Sequence, residues 1–472
     1  MRNVFQKVIV FLVCILFLLP ACSFAENESE SFAISLSERT VTSLHEFIEN
    51  NGSDVTLMKS KAESGDVKAI YNLGLMYFSG ELVMKDYDEA VRYFREAAEL
   101  GYPDAQDDLA SMYLMGYGVS QDYGAVLMWT KRAADQGFDS AQNNMGFLYE
   151  HGIGVSKDIR EAEKWYHLSA EQGYELAEFH LGYLYDMGEG ISKDINEAVK
   201  WYRLSAEQGD AVAQHNLGFL YYAGEDVSQD YGEALKWFKM SAEQNDESSQ
   251  NILGDMYRYG RGVQVNYEEA VNWYRKSAEK GYNVAQRNLA QMYMKGYGVP
   301  KDYSEAMKWY RKAAEQGLAS AQNELGFMYG VGMGVPSDYE EAFKWIIKAA
   351  DQGLRGAQSN IAYMYYYGKG VPKDYKKALQ YYRKAAEQGA PEAEVKLGNM
   401  YYMGIGTPVD YAESVVWFRK AAEHGDRSAQ LMMGYICESK REITEAMKWF
   451  QKAADNGDNT AKKALKRLQR KK

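Results

Sequence analysis

The chain has 472 residues, 46% hydrophobic and 25% charged, and its 54 Lys and Arg against 66 Asp and Glu give a net charge of -12. This composition excludes wholesale disorder and a collagen-like chain, and the acidic balance argues against a general nucleic-acid binder. Three Cys exclude a disulfide-stapled mini-domain, whereas 39 Tyr and 9 Trp mark a protein rich in large rings.

Arg2 and Lys7 precede an apolar run over residues 8–19 that breaks at Pro20, and Ser23-Phe24-Ala25 puts small residues at the -3 and -1 positions of a cleavage site. Residues 1–25 read as a secretory signal peptide cut before Glu26, which implies a periplasmic or secreted protein. The run is shorter than the roughly 20 apolar residues of a membrane span, which weighs against an uncleaved anchor. Leu19-Pro20-Ala21-Cys22 also resembles a bacterial lipobox with an atypical Pro. Lipidation at Cys22 is thus the second reading, and it makes the protein an outer-membrane lipoprotein. No second apolar span follows. Residues 26–43 are polar and rich in Ser and Glu, the composition of a flexible leader, and residues 44–65 are expected to form a helix that caps the array behind it. After cleavage Cys437 stands without a pairing partner in the exported chain.

From Trp129 onward Trp recurs every 36 residues, at 165, 201, 237, 273, 309 and 345, and again at 417 and 449. Tyr93 and Tyr381 fill the same register. A fixed period of this size means a solenoid. Aligned from Asp66, ten units of 36 and one of 32 residues cover 66–457. Each unit reads as two helices. Ala321, Leu325 and Met328 make the apolar stripe of a first helix, which Gly330, Gly332 and Gly334 end. Asp338 and Glu341 have capping-box spacing at the start of a second helix, and Gly353 closes it. Asn245 is the one substitute for that closing Gly. A further Gly inside most first helices, as at 146, 254 and 326, implies close helix-helix approach, with the Trp position, usually followed by Tyr or Phe, supplying the large knobs and Trp165 and Trp273 expected in the core. Asp226, Asn245, Ser249 and Asp255 depart from the pattern within 30 residues, a candidate hinge between two halves of the array.

Residues 285–317 spell Ala-x3-Leu-Ala-x2-Tyr-x2-Gly-x-Gly-Val, then Asp-Tyr-x-Glu-Ala-x-x-Trp-Tyr-x-x-Ala-Ala-x-x-Gly, with Ala290 where most units have Gly. This pattern resembles the Sel1-like repeat, a relative of the tetratricopeptide repeat. The resemblance implies an all-α, right-handed α/α superhelical solenoid of eleven helix-turn-helix repeats, with first helices lining the concave side. It departs from the pattern at the ends: Gly80-Glu81-Leu82 lacks the second loop Gly, and the last unit lacks four loop residues and has Cys437 in a Tyr position. Residues 458–472 are expected to form a basic C-terminal capping helix, with Ala461, Ala464, Leu465 and Leu468 on its apolar stripe.

Catalytic and metal signatures are absent. There is no H-E-x-x-H, no Cys pair at zinc spacing and no G-x-S-x-G, and the Gly-x-Gly loops follow helices rather than strands. His180 and His215 lie in adjacent first helices, but their repeat positions differ by one residue, about 100° of helix rotation. Neither a cofactor nor a metal is expected, and the chain reads as non-enzymatic. Function then rests on the positions that vary. Numbering each unit from its first residue, positions 6, 10 and 13 of the first helix lie opposite the apolar stripe. They carry Phe147, Phe179, Tyr183, Phe219 and Tyr222 in one patch and Phe327, Tyr363, Tyr366 and Tyr402 in a second. Exposed aromatics are typical partner anchors, though packing against neighbouring repeats is the competing explanation. Asn72, Asn144, Asn216, Asn288 and Asn360 at position 7 suit either peptide-backbone binding or bonding within the array. The expected function is an exported scaffold that binds a protein or peptide in its concave groove. Relatives of the resembled family act in the bacterial envelope, in restraint of signalling receptors and in contact with host cells. The alternatives are an envelope or polysaccharide assembly factor, or a secreted hydrolase or small-molecule binder.

Overall fold

The computed structural model describes residues 55–470, so the signal peptide, Cys22, the leader and the first part of the N-terminal capping segment lie outside the described residues. Among the described residues there are twenty-four α-helices and no strand, from Val55–Glu63 to Asn459–Gln469. The chain is an all-α solenoid of eleven two-helix repeats.

Local interactions explain each hairpin. In repeat eight the first helix, Ala319–Val331, buries Ala321, Leu325 and Met328, and Gly332 ends it in the left-handed conformation, its N–H bonding the Met328 carbonyl. The second helix, Tyr339–Asp351, starts at Asp338, whose carboxylate accepts the N–H groups of Glu340 and Glu341. The expected capping box is only half formed. The Asp338 N–H donates to the Tyr329 carbonyl nine residues earlier, closing the loop, and the same bond recurs at Asp86, Asp158, Asp230 and Asp410. Glu341 is released from that duty and accepts from the Trp345 indole and from Lys344 instead.

The second loop Gly answers to the neighbouring repeat. A Cβ on Gly370 would lie 2.0 Å from the Tyr339 carbonyl oxygen of repeat eight. Repeat one has no preceding repeat to approach, and there Leu82 takes the position at φ 66°.

The Gly inside the first helix faces the residue after the Trp position, so the ring paired with it is the aromatic follower and not the Trp itself. A Cβ on Gly146 would meet the Tyr166 ring at 2.6 Å, and one on Gly254 the Tyr274 ring at 2.4 Å. Phe94, Tyr166, Tyr202, Phe238, Tyr274, Tyr310, Phe418 and Phe450, each just after the Trp position, are fully buried, and so is Trp237; Trp129, Trp201, Trp417 and Trp449 are buried, whereas Trp165, Trp273, Trp309 and Trp345 are half-buried. Lys276 lies over the outer face of Trp273, 4.0 Å from its ring.

A buried amide ladder ties repeat to repeat. Gln322 donates to the Ala314 carbonyl of the repeat before it and accepts from Gln352, which also donates to the Gly317 carbonyl. Gln214 and Gln244 repeat the arrangement.

The chain divides into two compact units. One comprises residues up to 253 together with 261–263, and the other comprises 254–260 and 264 onward. The division follows the stretch in which Asp226, Asn245 and Ser249 depart from the repeat pattern. Asn245 takes the left-handed conformation, φ 77°, required of the Gly it replaces. In the first unit the helix Val55–Glu63 adds Met58 and Ala62 to the core of repeats one and two. In the second, Ala461, Ala464 and Leu468 of the last helix are buried against repeat eleven, and Arg467 pairs with Glu438. Cys437 sits in that core, and burial raises its thiol pKa.

Candidate functional site

Positions 6, 10 and 13 share one face of the first helices because they recur at helical spacing opposite the Ala-Leu-Met stripe. In the first unit that face is largely closed. Leu75, Ser111 and Phe147, all at position 10, are buried, and the Phe147 ring lies 4.2 Å from His151. Phe147 therefore does not offer the exposed ring expected of it. Phe179 and Tyr183 are half-buried and come together with centroids 6.4 Å apart, Phe179 also touching the buried Tyr202. Tyr222 is half-buried, and its hydroxyl accepts from Arg261. Phe219, 50% exposed, is the open ring of the expected first patch.

In repeats eight to ten of the second unit the same face presents exposed rings. Phe327 is 44% exposed, Tyr363 46% and Tyr402 44%. Tyr366 is half-buried. Tyr367, at position 14, was missed by the positional argument, yet its ring lies 4.5 Å from Tyr363 and 4.8 Å from Tyr366. The run Tyr365-Tyr366-Tyr367 was the available signal. Tyr375 extends this cluster from the second helix, 5.2 Å from Tyr366.

Several polar groups serve the array itself. Asn144 donates to Asp107 and Asn360 to Asn323, each on the neighbouring first helix, while Asn72 donates to the Lys68 carbonyl of its own helix. These amides favour bonding within the array. The buried Tyr166 and Tyr274 hydroxyls donate to Glu150 and Asp255, each at 2.6 Å, and burial raises both phenols above their ordinary pKa. Sequence reasoning missed these bonds. The signal was an acid at position 13 or 10 of a repeat whose core ring is Tyr.

The two His considered as a pair have separate partners. His180 stacks on Tyr166 at 4.8 Å, and burial lowers its pKa to about 4, so the ring is neutral. His215 contacts Ser249 at 2.8 Å and Asp246 at 3.3 Å through the same nitrogen. That nitrogen cannot serve a serine as base while the carboxylate orients the opposite ring nitrogen, so the trio is not arranged as a nucleophile relay. Desolvation opposes the Asp246 charge, but the bonds from His215 and Ser249 outweigh it and lower its pKa. Among the described residues no group of three or more His, Cys, Asp or Glu is placed to hold a metal ion, and no helix is long and apolar enough to cross a membrane.

Comparison with known proteins places this geometry. The family model described as the Sel1 repeat matches eleven times, over residues 67–102, 103–138, 139–174, 176–210, 211–246, 248–282, 283–318, 319–354, 356–389, 391–426 and 427–458. The chain is similar to the solved structure of c5321, described as a protective antigen present in uropathogenic Escherichia coli strains displaying an SLR fold. They share 36% identity over 89% of this chain and 91% of that one, with a TM-score of 0.78. It is also similar to a Sel1 repeat protein from Oxalobacter formigenes, at 33% identity over 66% of this chain and 89% of that one, TM-score 0.56. Comparison with curated proteins finds no match.

Proposed function

The chain belongs to the Sel1-repeat family, and from that premise we propose that it is an exported, non-enzymatic scaffold that binds a protein or peptide partner along its first-helix face, in the concave groove of the solenoid. Sel1-repeat solenoids typically mediate protein-protein interaction and are typically non-enzymatic. The observation that carries the reading is the open aromatic face of the second unit, where Phe327, Tyr363 and Tyr402 stay 44–46% exposed. Such rings on a polar surface cost solubility and contribute little to the core, but each can anchor a partner.

Export rests on the Arg2/Lys7, apolar-run and Ser23-Phe24-Ala25 pattern. A role in envelope signalling or host contact fits an exported scaffold, and the similarity to a protein described as a protective antigen supports contact with a host. The Cys22 lipobox favours a second reading, an outer-membrane lipoprotein acting in envelope or polysaccharide assembly. N-terminal sequencing of the mature protein separates the two: a start at Glu26 supports simple export, and a lipid-modified Cys22 supports the anchored form.

The binding test replaces Phe327, Tyr363 and Tyr366 together with Ser. Partner capture from an envelope fraction, read by mass spectrometry against wild type, should be lost while helicity is kept. Capture that survives moves the interaction to another face, and capture lost together with helicity makes these rings packing residues.

A further inference from the structure

Next to the open aromatic rings of the second unit lies a cluster of cations that the repeat pattern does not require. Arg258 stands in the first helix of repeat six, Arg287 and Lys295 in that of repeat seven. Arg258 donates to the Gln291 carbonyl oxygen at 3.2 Å and lies over the Tyr259 ring at 5.0 Å. Arg287 donates to the Asn288 carbonyl oxygen at 3.1 Å. Arg258 also meets the Tyr274 hydroxyl, so both guanidiniums have neutral partners, and neither they nor Lys295 form an ion pair among the described residues, although Asp255 and Glu324 lie nearby.

Two donors in this cluster remain unused. The Arg287 Nε is buried without a hydrogen-bond partner, and the hydroxyl of Tyr310, a fully buried ring of the second helix of repeat seven, lies beside the Gln291 side chain with no acceptor for its proton. The equivalent hydroxyls of Tyr166 and Tyr274 each meet a carboxylate. Repeat seven has Met294 at position 13 and Gln291 at position 10, so it supplies no carboxylate of its own. A buried donor without an acceptor carries its full desolvation penalty unless something completes it.

We propose that Arg258, Arg287 and Tyr310 form a receptor for one carboxylate of a bound peptide, with Phe327 on the adjoining first helix receiving a neighbouring apolar side chain. The proposal rests on the reading of the first-helix face as the partner surface and gives that partner its chemistry. A guanidinium matches a carboxylate with two parallel hydrogen bonds. Charge selects a monoanion. Asp255 lies with Arg258 around the Tyr274 hydroxyl, and Glu324 lies near Arg287 and Lys295, so three cations against two carboxylates leave one positive charge, which a carboxylate neutralises and a dianionic phosphate exceeds. Spacing sets the motif. Neighbouring packed helices lie about 10 Å apart, which an extended chain crosses in about three residues. The recognised segment therefore has an acidic residue and an aromatic or aliphatic residue three apart.

The probes are fluorescein-labelled, end-capped decapeptides of Ser and Gly containing Glu-Ser-Ser-Phe or Phe-Ser-Ser-Glu, with matched probes carrying Gln or phosphoserine in place of Glu. Anisotropy titrations of the mature chain at low salt should show one Glu probe binding at least about tenfold more tightly than its Gln match, the value of a charge-assisted hydrogen bond. The preference should shrink at high salt. Arg258→Gln combined with Arg287→Gln should abolish it while leaving the weaker Gln-probe binding. Lys at both positions should restore only part, because charge returns without the fork. Phe327→Ser should weaken Glu and Gln probes alike. Equal affinity for Glu and Gln, a preference that survives the double Gln substitution, or phosphoserine tighter than Glu by about tenfold would each overturn the carboxylate assignment. Binding of the Gln probe that still depends on Phe327 would at the same time uphold the groove. Absence of binding by every probe also overturns this proposal, and partner capture by the Ser trio decides the broader reading separately.

Discussion

Position 10 of the first helix is filled very differently at the two ends of the array. In repeats one to three it holds Leu75, Ser111 and Phe147, all buried, whereas in repeats eight, nine and eleven it holds Phe327, Tyr363 and Tyr435, all exposed, as is Phe219 of repeat five. Phe147 and Phe327 share residue type, repeat position and helix, yet one is 6% exposed and the other 44%. What surrounds the position differs. Phe147 belongs to a core cluster with Leu114, Met145 and Leu148, while the core of repeat eight closes through Leu325 and Met328 without Phe327. Identical periodicity therefore yields a packed face in one place and a presenting face in another. An aromatic residue at a variable repeat position is an anchor only where its neighbours leave it open.

The sharpest way to break this contrast is to make the same substitution twice. Phe147→Ser should cost about 3–5 kcal/mol in local stability, as for other buried rings, whereas Phe327→Ser should stay within about 0.5 kcal/mol. Urea unfolding of both variants checks it, and equal losses would erase the distinction. A parallel pair tests the core assignment: Tyr274→Ala should fall in the same 3–5 kcal/mol range, and half-buried Trp273→Ala should lose about half as much.

A second test uses pH in the first unit. Burial holds His180 near a pKa of about 4 against an ordinary 6.5. Between those values the unfolded chain binds the proton and the folded chain does not. The stability linked to His180 is thus present above pH 6.5 and lost as pH falls toward 4, about 2 kcal/mol of it by pH 5. Asp210, raised by burial to about 6, works in the opposite sense over part of this window. The useful quantity is therefore the difference between wild type and His180→Phe, which keeps a ring against Tyr166. The advantage of wild type at pH 7 should shrink or reverse at pH 5. An unchanged difference would mean that the ring is not held neutral by burial.

The smallest expected effects concern Gly within first helices of the second unit. Gly254→Ala should lose about 1–3 kcal/mol through collision with Tyr274, despite better helix propensity. Gly356→Ala, with nothing within 4 Å of the added carbon, should gain up to about 1 kcal/mol. Thermal melts that move in opposite directions confirm that close approach, and not helicity, decides where Gly is kept.

The sequence by itself determined the family, the number of repeats and the alternation of helices, because those features rest on local chemistry repeated at a fixed period. Asp at the N-cap, Gly at the left-handed termini and the Ala-Leu-Met stripe each act within one hairpin, so a single register exposed them all. The tertiary structure decided what depends on neighbours distant along the chain. It turned Glu341 from a capping partner into an acceptor for Trp345, and set the residue after the Trp position, not Trp itself, against the first-helix Gly. It closed the face around Phe147 and brought Tyr367 between Tyr363 and Tyr366. It also set Arg258 and Arg287, on successive first helices, near a Tyr310 hydroxyl with no acceptor for its proton. Burial and convergence are properties of several repeats packed together, and a period read along one chain carries no measure of either.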